Sequence, residues 1–217
     1  MILDLRHSEK IRIELKDDIH SELADGSLIV IQTKHTTQTL NGGNLINLTE
    51  RDKDLWKTIN NWIKVINEQH ESKKFISNTT FQLISNKSLG VNNFFINIIK
   101  LQNRETTIDE FKTYLDNLIL NTEDETIKGF ILNFRNMDRK MLNSFILKLK
   151  FTLNEDNIII KIKNRLLEKI HIEEKVDDVY NSLFSELKAK EYFNVKRGST
   201  KTISFEDFNK NFKGCFK

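Results

Sequence analysis

Asp18, Gln32 and Lys34 offer a carboxylate, an amide oxygen and an ammonium group, a set that can hold a divalent cation and activate water. A hard cation such as Mg²⁺ takes oxygen ligands and keeps several of its waters, so one or two carboxylates plus an amide oxygen suffice as the protein's share. Asp18 and the Gln32 oxygen supply that share, and Glu14 or Asp17 are auxiliary acids. Lys34 then stands as catalytic base or as a charge that offsets the negative charge growing on a scissile phosphate. The chemistry this points to is the hydrolytic cutting of DNA.

Two extended segments must bring these groups together. Side chains two apart on a strand share a face, so Ile11, Ile13 and Leu15 form an apolar set and Arg12, Glu14, Lys16 and Asp18 a charged one. In the second segment Ile29, Ile31 and Thr33 oppose Val30, Gln32 and Lys34, so Gln32 and Lys34 project together. Asp25-Gly26 supplies the positive backbone dihedral of a tight hairpin between them. Of the neighbours Asp17 and Asp18, Asp18 shares strand parity with Glu14, and a bulge would exchange the two.

The segment resembles the PD-(D/E)XK nuclease core in its Asp…Gln-x-Lys variant. More narrowly, it resembles the double-stranded-DNA endonuclease domain of bacterial anti-phage systems, found in CBASS effectors and Lamassu-type operons. The matching stretches are Glu14 to Asp18, Ile31 to His35, the helix-like Asp54 to Trp62 and the strand-like Phe81 to Asn86. They cover roughly the first hundred residues, and the Trp-bearing helix is a family marker rather than chemistry. The resemblance implies an α/β fold, a restriction-endonuclease-like mixed sheet core over residues 1–104 with a helical accessory region over 105–217. It also implies a Mg²⁺-dependent endonuclease acting on double-stranded DNA, held inactive until released by a sensor or SMC-like ATPase partner, often through homo-oligomerisation.

The family places a long helix before the first strand, whereas only Met1 to Lys10 precede it here. Ile11, Ile13, Leu15, Ile29 and Ile31 therefore need cover from another surface, since each large apolar side chain left in water forfeits about 1.5–3 kcal/mol. A partner, a second copy or an upstream segment would provide it. A chain shortened in this way has an alternative role, as a non-catalytic nuclease-like subunit that binds DNA or acts as a scaffold in a defence complex.

Composition sets outer bounds. The 217 residues suffice for one larger domain or two small ones, and 30% charged against 38% hydrophobic residues describes a globular chain. No apolar run reaches the roughly 18 residues of a membrane span, the charged start is unlike a secretory signal, and the lone Cys215 fits a reducing cytoplasm. With 34 basic and 31 acidic residues the net charge is only +3, so phosphate affinity would depend on clusters such as Lys73-Lys74, Lys161 to Arg165 and Lys196 to Lys201. The absence of proline, with many Lys, Ile and Asn, indicates an AT-rich genome rather than a mechanism.

Further along, residues 41–47 read as a loop, and Leu55, Ile59, Trp62, Ile63 and Ile66 mark a helix capped by Thr49, Asp52 or Asp54, with both tryptophans assigned to its core face. Phe75-Ile76 and Phe81 to Ser85 read as a strand pair, Phe94 to Leu101 as a short helix and Phe130 to Phe134 as a strand. Met141, Phe145, Leu149 and Leu153 read as one helix; Ile158 to Ile162 fits either type, and Val176 to Tyr192 is amphipathic. Neither glycine cluster fits a phosphate-binding loop, and the five histidines lack zinc spacing, with His20 and His35 near the proposed site.

Overall fold

A computed structural model describes residues 2–13, 18–39, 46–89, 92–153, 158–196 and 201–216. In chain order the strands are β1 (Lys10–Ile13), β2 (Asp18–Glu22), β3 (Leu28–Lys34), β4 (Asn47–Leu48), β5 (Thr79–Ser85), β6 (Ser88–Leu89), β7 (Leu149–Thr152) and β8 (Lys201–Ser204). The α-helices are α1 (Lys53–Glu68), α2 (Ser72–Asn78), α3 (Asn93–Gln102), α4 (Ile108–Leu120), α5 (Glu125–Arg135), α6 (Arg139–Lys148), α7 (Ile158–Ile170), α8 (Val176–Lys196) and α9 (Phe205–Phe212). Hydrogen bonding orders six strands β7-β5-β3-β2-β1-β8 in a mixed sheet, so the α/β class read from the sequence holds. Two compact units make up the chain, residues 1–31 with 155–217 and residues 32–154, and β3 runs from the first into the second.

In the first unit three strands replace the expected two. Asp18 opens a separate strand, β2, which pairs antiparallel with β1 in the register Lys10↔Glu22 to Ile13↔Ile19. Residues 14–17, which include Glu14 and Asp17, lie outside the described residues. The Asp25-Gly26 turn is present, but it joins β2 to β3. Gly26 takes φ 77° and the Asp25 carboxylate accepts the Ser27 N–H at 2.8 Å, the local bond that favours Asp at such turns.

β1 has a further strand neighbour from the far end of the same chain. β8 pairs with β1 on its other side and sets Ile203 opposite Ile11, both of them buried. No sequence pattern announces a pairing nearly two hundred residues distant. In the same unit α7, α8 and α9 pack Leu166, Val179, Leu183 and Phe212 with Leu3 into a small apolar cluster, and Arg165 forms an ion pair with Asp4.

The second unit is built on an aromatic core. α1 starts where the Asp52 carboxylate accepts the N–H groups of Asp54 and Leu55, and it buries Trp56, Ile59, Trp62 and Ile66 at helical spacing. Phe94 lies 4.8 Å from Trp56, and Phe81 and Phe145 meet edge to face at 4.8 Å. Phe134 contacts Trp56, Phe94, Phe111 and Phe145, all at ring distances of 5.9–6.3 Å. Such rings add directional attraction to their burial. Tyr114 on α4 donates to Glu50 just before α1, and its burial, followed by the Glu50 charge, raises its phenol well above the usual range.

Three expectations change here. Phe130 to Phe134 belongs to α5, because Ile127, Ile131 and Phe134 fall on one helical face behind the Asp124 cap. Phe75-Ile76 lies in α2, and only Thr79–Ser85 is extended. The helix at Met141 ends at Lys148, since Leu149–Thr152 instead pairs parallel with β5, with Phe81 opposite Leu149. Tertiary pairing outweighs helical spacing in that short apolar segment.

Because Phe134 is fully buried among four other rings, Phe134→Ala is expected to destabilise folding by about 3–5 kcal/mol in chemical denaturation. A loss below about 1 kcal/mol would show that this core is loosely packed.

Candidate functional site

β3 carries two of the three proposed site residues. Val30, Ile31 and Gln32 are buried in succession, Thr33 is exposed and Lys34 half-buried. Both faces of the strand are thus covered up to Gln32, and the chain opens toward solvent from Thr33 onward. Gln32 and Lys34, two residues apart, share a face as expected, but Gln32 is only 2% exposed. Asp18 begins β2 in the first unit, whereas Gln32 and Lys34 belong to the second.

The donor types still suit Mg²⁺, since carboxylate and amide oxygens are its usual protein ligands. Against that stands the burial of Gln32, because Mg²⁺ holds on to its waters and needs room for them beside each protein ligand. Among the described residues no group of three or more His, Cys, Asp and Glu is placed to hold a metal ion. His35 is exposed and His20 half-buried.

What the sequence did not reveal is a buried polar cluster beyond the end of β5, wholly within the second unit. The Lys87 ammonium, 6% exposed, sits 2.6 Å from the Asp52 carboxylate and 3.5 Å from Asp54. Asp52 therefore does two jobs: one oxygen caps α1 and the other neutralises a lysine. Next to it, the buried Asn86 amide accepts the Thr36 N–H and donates to the Thr36 carbonyl, both at 2.8 Å. That pair of bonds imitates a strand ladder and fixes the backbone two residues past Lys34. Asn92, also buried, donates to the Leu48 carbonyl and caps α3.

Part of this cluster left a trace in the sequence. Asp52 was among the candidate caps of α1, and Phe81 to Ser85 read as a strand. A buried lysine leaves no such mark, because lysine is almost always exposed unless paired, and its partner lies 35 residues away.

No family model and no curated protein matches the chain. Solved structures do. The Cap4 SAVED/CARF-domain containing receptor of Moraxella osloensis aligns with a TM-score of 0.54 at 11% identity, over 100% of this chain and 44% of that one. That of Acinetobacter baumannii, with the cyclic trinucleotide 3′3′3′-cAAA, aligns with a TM-score of 0.55 at 15% identity, over 100% of this chain and 42% of that one. The chain thus has the fold of part of these receptors and spans less than half their length. Among the described residues no helix is long and apolar enough to cross a membrane.

Asp52→Ala removes a helix cap and leaves the buried Lys87 ammonium with only the half-exposed Asp54 carboxylate, so a loss of about 2–4 kcal/mol is expected by urea titration. Lys87→Met combined with Asp52→Asn keeps a cap without a buried charge and should regain most of it. Equal losses in the two variants would mean that the ion pair is not what makes Asp52 important.

Proposed function

We propose that this chain is a nuclease-like component of an anti-phage defence assembly, in which it binds double-stranded DNA and serves as a scaffold without cutting. The observation that carries this is the likeness in fold of the whole chain to less than half of the Cap4 receptor chains, which is what one part of a larger defence protein would give. The similarity of the Glu14 to Asp18 and Ile31 to His35 stretches to the endonuclease domain of such systems points the same way. Burial of the Gln32 amide favours the non-catalytic form, since in that form Gln32 is a core residue of β3 rather than a metal ligand open to substrate. The remainder of the assembly would include a sensor, and the neighbour carrying a cyclic trinucleotide makes a nucleotide-responsive receptor the partner of choice.

A second function is hydrolysis, favoured by the shared face of Gln32 and Lys34 and by the partial exposure of Lys34 at the end of β3. Here Asp18 and Gln32 would hold Mg²⁺, Glu14 or Asp17 would assist, and Lys34 would orient water or offset charge on the phosphate. Mg²⁺ would contribute the Lewis acidity.

Incubation with supercoiled plasmid separates the two. Retention of duplex on a gel without Mg²⁺-dependent nicking or linearisation, unchanged in Lys34→Ala, is the expected result. Cleavage by the wild-type chain that drops by about 10²-fold or more in Lys34→Ala would replace the scaffold role with the catalytic one.

A further inference from the structure

A cleft in the 32–154 unit gathers positive charge. It has a volume of about 390 Å³, lies where α3 gives way to α4 and α6 begins, and has Leu101 and Ile108 as its apolar lining. Arg104, Arg139 and Lys140 line it together with Asn143 and the threonines 106 and 107, and no carboxylate is among the lining residues. All three cations are exposed.

Two features make this gathering of cations costly in the free protein. Arg139 and Lys140 occupy the first turn of α6, where the helix macrodipole disfavours positive charge. Arg104 takes φ 63° just past the end of α3, a position at which glycine is the usual residue. Two acids stand beside this charge: the Asp109 carboxylate accepts from Arg139 at 2.6 Å, both side chains being well exposed, and the Asp138 carboxylate that caps α6 is attracted to Lys140. Glu110 is engaged by the Thr106 and Thr107 hydroxyls in the capping of α4.

We propose that this cleft binds backbone phosphates of double-stranded DNA, with Arg104 and Lys140 as primary contacts and Arg139 joining them on release from Asp109. The inference rests on the DNA-binding function proposed above and names its contact surface. Guanidinium forks, an ammonium and the Asn143 amide present several donors to one tetrahedral anion, as phosphate recognition requires. Such contacts position a duplex without reading its sequence. In this arrangement Asp109 is a competitor for Arg139.

The test is a salt series of duplex affinity by fluorescence anisotropy, using the full chain and a short labelled duplex. Arg104→Ala and Lys140→Ala should each weaken binding several-fold at low salt and reduce the slope of log K against log salt by about 0.9. Asp109→Asn should tighten binding. Lys57→Ala, at an exposed lysine of α1, should leave the slope unchanged. If the wild type binds duplex and the cleft variants match it, this surface is wrong while DNA binding stands. If the wild type binds no duplex, DNA binding itself fails and the cleft assignment falls with it. Displacement of duplex by micromolar inorganic pyrophosphate at fixed ionic strength would assign the cleft to a free anion and overturn the proposal; displacement needing millimolar concentrations supports it.

Discussion

The ion pair between Lys87 and Asp52 ties together the parts of the 32–154 unit on which any function of β3 depends. It joins the chain leaving β5 to the first turn of α1. Adjacent to it, the Asn86 amide holds the strand exit after Lys34, and Asn92 opens α3. A charge pair this deeply buried is weak evidence for net stability, because each ion loses its hydration. Its geometric consequence is firmer: the pair, with Asp54 at 3.5 Å beside it, links the chain leaving β5 to the start of α1.

From this constraint follows the character of β3. The strand is clamped at Thr36 by Asn86 and buried through Val30, Ile31 and Gln32. A strand held in this way presents Lys34 at a fixed place but leaves little room around the Gln32 amide. The same rigidity that would serve a catalytic site serves a binding surface equally well, and the burial of Gln32 tilts the balance toward the latter.

Local signals in the sequence carried much of the fold. The Asp25-Gly26 turn was legible because its backbone demand is met by few residues, and α1 because Asp52 and the spacing of Leu55, Trp56, Ile59 and Trp62 are both strong helix signals. Features decided by distant partners were not. β8 reaches β1 from the far end of the chain, β7 is extended only because β5 lies alongside, and Lys87 is buried only because Asp52 receives it. Of the candidate site, the shared face of Gln32 and Lys34 was legible from alternation alone, but the depth of Gln32 was not, since burial on both faces of a strand is set by its neighbours.

The most direct test of DNA binding without catalysis compares duplex affinity in EDTA and in Mg²⁺ at equal ionic strength. With Gln32 a core residue and phosphates held by protein cations, affinity should be the same in both, or slightly lower in Mg²⁺ through competition for the DNA. Binding that requires Mg²⁺ and disappears in Asp18→Asn would contradict this and restore a metal site at β2 and β3.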